Sequence, residues 1–224
     1  TWVGQRRHIV FYPVSKGRLL NFVGFVPAEE VVARESWTAS GDVDELRASF
    51  ADSCDEVRRI VGAIDEAFVT SIQFREPLTS WGRGRVSLLG DAAHPMPPSA
   101  AQGACMALED AVVLGRAIER FGHEGVEAAL RAYESRRIPR TSRVFGTAMN
   151  NFRAFNLADP ALMRGRNGRF KALTRLDPMS QATWGWIYRY DVAQAVDTNP
   201  PTVAEGAPNP LVRPSARAAF DEWK

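Results

Sequence analysis

Residues 86–98 read VSLLGDAAHPMPP and continue as SAAQGACMALEDA to Ala111. A strand-like apolar run ends at Gly90, an acid follows at Asp91, and Pro95, Pro97 and Pro98 stiffen what comes next. Gly103 then opens a helical pattern. Each residue type has a chemical use. Glycine turns a chain without a Cβ clash. A short carboxylate is acceptor-only and can grip the hydroxyls of a diol through charge-assisted hydrogen bonds. Glycine at a helix start lets the first turn approach a ligand, to which it presents free N–H groups and about half an elementary positive charge. A polyol joined to a ring that becomes negative on reduction would use all of these parts. A flavin is such a molecule.

The elements that must position this loop are legible on both sides. Arg7–Val14 and Leu19–Val26 read as strands around Ser15-Lys-Gly-Arg18, a hairpin turn, and 36–40 reads as a third strand. Asp42 is placed to cap a helix over Val43–Ala51, and Asp55–Ile64 reads as another. Ala67–Phe74 alternates as a strand would, Trp81-Gly-Arg-Gly84 reads as a turn, and Val86–Leu89 as the strand feeding the loop. After the loop, Ala104, Leu108, Ala111, Gly115 and Ile118 recur at spacings of three and four, which predicts a helix from Ala101 to Phe121 packed closely through that stripe. A second helix is expected over 125–150, kinked at Pro139, with a short helical piece near Arg169–Arg175 and a proline-rich tail over 198–214.

Composition narrows the field. The 224 residues are 45% hydrophobic, enough for a substantial core, and carry a net charge of only +2. With no dense Lys/Arg tract, nucleic acid is not an expected partner. Two cysteines without CxxC spacing and three histidines in all argue against a metal site and require no oxidising compartment. No apolar run approaches the roughly 18 residues of a membrane span, so the expectation is a cytoplasmic protein without a membrane partner. The chain begins at Thr1, already inside a strand-like pattern, which reads as part of a longer protein.

On these residues the sequence resembles the FAD-dependent aromatic-ring hydroxylases, salicylate and 6-hydroxynicotinate hydroxylases among them. GDAAHPMPPSAAQGACMALEDA is similar to their second flavin motif, Arg7-His-Ile-Val-Phe-Tyr-Pro-Val14 to a strand of their substrate domain, and Tyr133-Glu-Ser-Arg-Arg-Ile-Pro-Arg140 and WGWIYRYD to their C-terminal part. The resemblance implies an α+β fold: a partial substrate-binding β-sheet over 1–80, the strand, flavin loop and helices of an FAD-binding domain over 81–150, and a C-terminal helical region with its tail over 151–224. It implies FAD as cofactor, NADH or NADPH and O2 as co-substrates, and a small aromatic substrate hydroxylated through a flavin C4a-hydroperoxide. Homo-oligomerisation is left open. At the cofactor Gly90 would turn the chain, Asp91 would meet the ribityl hydroxyls, Pro95 the isoalloxazine, and the backbone of Gln102, Gly103 and Ala104 the flavin N1–C2=O edge. His8 and Tyr12 would face the substrate. Their spacing of four on a strand puts both on one face, roughly 13 Å apart.

The family's N-terminal G-x-G-x-x-G, the acid that follows it, its DG motif and its general base have no counterpart here, so no catalytic residue is assigned. The chain taken alone is therefore expected to hold FAD weakly. Two other readings stay open: a different FAD-dependent oxidoreductase of the same superfamily, or a truncated chain without catalysis. Several residues have structural readings instead. His94 would bond a neighbouring carbonyl, Cys105 and the tryptophans Trp81 and Trp184 would pack, and Glu109 and Asp110 would pair with Arg136, Arg137 and Arg140 between two helices.

Overall fold

The computed structural model describes residues 1–27, 40–180 and 183–197. It mixes helices with small antiparallel sheets, as the α+β expectation requires, and divides into two compact units. The first comprises Thr1–Gln73 and Phe152–Phe170; the second comprises Phe74–Asn151 and the chain from Lys171 onward.

In the first unit, β1 (Trp2–Val3), β2 (His8–Val14) and β3 (Leu19–Phe25) form an antiparallel sheet in that order. The β2–β3 turn is a 3-10 turn at Ser15–Gly17, with Ser15, Lys16 and Gly17 all at positive φ. Pairing sets His8 opposite Phe25, Val10 opposite Val23 and Tyr12 opposite Asn21, so these residues share one face. The other face carries Ile9, Phe11 and Phe22, packed on Phe50, Val57 and Val61. Phe50 follows α1 (Val43–Ser49), which adds the half-buried Leu46, and Val57 and Val61 lie on α2 (Asp55–Gly62). Asp42 caps α1 as expected, its carboxylate accepting from the Asp44 and Glu45 N–H groups. The stretch 67–74 is not a strand: an isolated bridge between Ser40 and Phe68 is its pairing among the described residues. Alternation suits a pleated surface, but without a neighbouring ladder it forms no sheet. The strand expected at 36–40, apart from Ser40, and the proline-rich tail lie outside the described residues.

In the second unit, β4 (Gly82–Arg83) and β5 (Val86–Ser87) make a short hairpin turned at Gly84, whose φ is +56°. The expected turn at 81–84 is thus half strand, and the expected strand stops two residues before Leu89. The loop leads into α3 (Gly103–Phe121) and then α4 (Val126–Phe155), 30 residues continuous through Pro139. The last turn of α4 and most of α5 (Pro160–Leu173), whose end is the piece expected near Arg169, belong to the first unit, and α6 (Gly185–Tyr188) and α7 (Val192–Asp197) follow in the second. Trp81, Ala93, Val113, Ala117, Ala129 and Tyr133 form the core of this unit.

The packed stripe of α3 is a correction. Met106, Asp110, Val113 and Ala117 are buried, whereas Leu108 of the expected stripe is 70% exposed and Ala104, Ala111, Gly115 and Ile118 are exposed as well. Periodicity gives the helical repeat but not its phase, and here a buried carboxylate sets the phase. No described helix is long and apolar enough to cross a membrane.

Candidate functional site

The loop is built by backbone geometry first. Gly90 is buried with φ +59°, a left-handed conformation that a side chain would strain. Its carbonyl accepts from the Ala93 N–H (2.8 Å) and the His94 N–H (2.9 Å), closing the 3-10 turn Gly90–Ala92. Asp91 lies on that turn, exposed, and its carboxylate takes no hydrogen bond or ion pair from the described residues. Arg75 donates to the carbonyls of Ala92 and Ala93.

The second half of the loop is clamped to α4. Ser99 Oγ donates to the Ala148 carbonyl (2.7 Å), and Asn151 Nδ2 donates to the Ser99 carbonyl (3.0 Å). Pro95 is half-buried, Pro97 buried and Pro98 exposed. Ala101 holds φ +52° at the entry to α3, which is rare for a residue with a Cβ and costs on the order of 1–2 kcal/mol. No side chain caps α3: Gln102 sits at its start, buried, with its amide donating at 3.4 Å to the Ala101 carbonyl. Gly103 is half-buried and Ala104 exposed. A Cβ placed on Gly103 would lie 3.8 Å from Asp91 Oδ1, so the acid and the helix start are neighbours.

Beneath the loop lies the polar centre of the unit. Asp110, fully buried, accepts through Oδ2 from Gly90 N–H (3.0 Å) and His94 Nε2–H (2.6 Å), and through Oδ1 from Arg137 Nε (2.6 Å). Burial pushes the Asp110 carboxyl up, but the bonds from His94 and Arg137, the Arg137 charge and the Gly90 N–H outweigh it and hold it below its ordinary value. Arg137 also reaches Glu109 (2.6 Å) and the Met106 carbonyl (3.1 Å), while Arg140 binds Glu109 through both oxygens (2.9 and 3.1 Å). The ion-pair reading of Glu109, Asp110, Arg137 and Arg140 holds. Arg136 donates to the Ala195 carbonyl (2.9 Å). His94 bonds a carboxylate rather than the expected carbonyl, because the carboxylate is buried directly under the loop. Tyr133 donates to the Leu88 carbonyl (3.2 Å), and its burial, with the Asp110 charge, pushes its hydroxyl well above the usual range. Trp81 packs in the core against both the His94 and Tyr133 rings, and Trp184 packs on Tyr188.

In the first unit, His8 and Tyr12 share a face of β2 but differ in surroundings. Tyr12 is 50% exposed, whereas His8 is 1% exposed and stacked on Phe25 with ring centroids 4.1 Å apart. Its Nδ1–H donates to Asn156 Oδ1 (3.2 Å), because Asn156 Nδ2 is engaged with the Phe152 carbonyl (2.7 Å). Burial lowers the His8 pKa to about 4 against the opposing effect of the Asn156 bond, so the ring is neutral at pH 7.

Asp91, Gly90 and Gly103 are therefore brought together, with Pro95, Gln102 and Ala104 on the same loop and helix start. The roles of Asp110, Ser99 and Asn151 in shaping that loop had no local signal in the sequence. Their partners lie 16 to 52 residues away.

Comparison with known proteins gives one family: the one described as "FAD binding domain" matches residues 2–148. The chain is 40% identical over 144 residues to 3-hydroxybenzoate 6-hydroxylase 2 of Aquipseudomonas alcaligenes, covering 64% of this chain and 44% of that protein. It is 39% identical over 150 residues to 6-hydroxynicotinate 3-monooxygenase of Bordetella bronchiseptica (strain ATCC BAA-588 / NCTC 13252 / RB50), covering 67% and 39%. Among solved structures it resembles a salicylate hydroxylase substrate complex at TM-score 0.73 and 26% identity, over 87% of this chain and 47% of that one. The chain thus spans less than half the length of these proteins.

Proposed function

The chain belongs to the FAD-binding-domain family, and from that premise we propose that it forms the flavin- and substrate-facing part of a monooxygenase that hydroxylates a small aromatic ring. Its co-substrates are O2 and NADH or NADPH. The observation that carries this reading is the free carboxylate of Asp91 beside the uncapped start of α3, within 3.8 Å of where a Gly103 Cβ would be. FAD needs acceptors for its ribityl hydroxyls and donors for a ring edge that gains negative charge, and the residues present offer both.

In this reading Asp91 accepts from a ribityl hydroxyl, Gly90 gives the turn that presents it, and Pro95 flanks the ring. The backbone N–H groups at Gln102, Gly103 and Ala104 stabilise charge at the flavin N1–C2=O edge without needing to reorganise. Bound there, FAD would supply the redox chemistry, by which two electrons from the nicotinamide and O2 give one oxygen atom to the ring and the other to water. Tyr12 offers a hydroxyl to a polar substituent of the substrate, and His8 supports that sheet face through its stack on Phe25 and its bond to Asn156.

Asp91→Ala in the full-length monooxygenase, rather than in this chain alone, is the direct test. Losing a charge-assisted bond should cost about 1.5–3 kcal/mol, roughly ten- to a hundred-fold in FAD affinity, with thermal unfolding of the apoprotein unchanged because Asp91 is exposed. Unchanged affinity on titrating apoprotein with FAD would remove Asp91 as the ribityl ligand. Tyr12→Phe should weaken aromatic-substrate binding by about 0.5–1.5 kcal/mol, read from the substrate's perturbation of the flavin spectrum, while FAD affinity stays at the wild-type value. A wild-type substrate Kd in that variant would return Tyr12 to the surface of the sheet.

A further inference from the structure

We propose that Asp110 is the positioning residue of the cofactor loop, acting through Gly90 and His94 to fix where Asp91 stands; this rests on the flavin reading above. The two donors that meet Asp110 Oδ2, the Gly90 N–H at 3.0 Å and His94 Nε2–H at 2.6 Å, lie on either side of Asp91 in the chain. The turn between them is closed by the Gly90 carbonyl, so Asp91 is carried on a short backbone loop pinned at both ends to one oxygen. Arg137 Nε holds the other oxygen at 2.6 Å, which stops the carboxylate from rotating away.

The same helix bears the other half of the site. Asp110 follows Gly103 on α3 by seven residues, about two turns, which puts both on one side of a rigid rod. A loop tied to Asp110 is therefore held at a fixed distance from the N–H groups at the helix start. That separation must match the distance between ribityl chain and flavin ring edge. His94 has no other bond to make: its Nδ1 is buried without a hydrogen-bond partner among the described residues.

The test uses the FAD-loaded whole monooxygenase proposed above, of which this chain forms part, with His94→Ala, His94→Gln and Asp91→Ala. His94→Ala should raise the FAD Kd about tenfold and change the visible circular dichroism of the bound flavin, a signal that reports ring orientation rather than fold stability. His94→Gln, whose amide N–H can reach Asp110, should restore both readouts towards wild type. If His94→Ala lowers the melting temperature of the apoprotein but leaves FAD affinity and the flavin signal untouched, Asp110 and His94 are structural only and the proposal fails. Should His94→Ala not fold, His94→Asn, with a shorter arm than glutamine, carries the same comparison against His94→Gln, and equal flavin signals in the two overturn the proposal. Weaker FAD binding in Asp91→Ala with wild-type behaviour in the His94 variants sinks this inference alone. Wild-type FAD binding in Asp91→Ala sinks the flavin reading and this inference with it.

Discussion

Arg137→Ala is expected to destabilise the chain by about 3–5 kcal/mol, the cost of leaving a buried charge without its partner. Arg137 is buried between Asp110 and Glu109 and also donates to the Met106 carbonyl, so the truncation takes the cationic partner from a fully buried carboxylate and a second donor from a helical carbonyl. Gly90 N–H and His94 alone would then face the Asp110 charge. The sign of the pH dependence follows. In the wild type the Asp110 pKa is depressed on folding, so its contribution is present above the unfolded carboxylate pKa and is lost as pH falls through the lower folded value. In the variant the Arg137 bond and charge are lost while those of His94 and Gly90 remain, so the Asp110 carboxyl rises relative to the wild type and protonation relieves part of the cost. Denaturant unfolding should show the deficit largest near pH 7 and reduced near pH 4, at constant m-value. A deficit below about 1 kcal/mol at pH 7 would mean that this ion pair behaves like a surface pair.

Acidification from pH 7 to 4 is expected to cost the chain on the order of 3 kcal/mol through His8, whose pKa falls from 6.5 to about 4 on folding. The unfolded chain binds a proton below 6.5 that the folded ring refuses until about pH 4, so stability rises with pH across that window. The ring's neighbours, Phe25, Phe155 and Asn156, offer no negative charge that would stabilise an imidazolium. His8→Phe keeps the aromatic stack and removes the titration. Its unfolding free energy should be lower at pH 7, through the lost Asn156 bond, and should vary less between pH 6.5 and 4. If the pH slope of the variant equals that of the wild type, His8 is not its source.

The sequence by itself determined what depends on near neighbours. The β2–β3 hairpin, the Asp42 cap, the presence of α3 and α4, and the succession of a turning glycine, an acid and a glycine-opened helix are encoded within a few residues of each position. Turn chemistry, capping and side-chain period act at that range. The loop's resemblance to a flavin motif was legible for the same reason, since it is a contiguous run. Tertiary structure decided what depends on partners far along the chain. The helix period predicted α3 but not which stripe would be buried; Asp110 faces inward because Arg137, 27 residues on, and His94, 16 residues back, meet it there. Residues 67–74 alternate like a strand, yet pairing requires a neighbouring edge that no local pattern can supply. His8 and Tyr12 share a strand face by parity alone, but Phe155 and Asn156, nearly 150 residues away, bury the one and leave the other exposed. A local pattern fixes the direction of a side chain from its own backbone, whereas burial and charge pairing depend on what the rest of the fold brings against it.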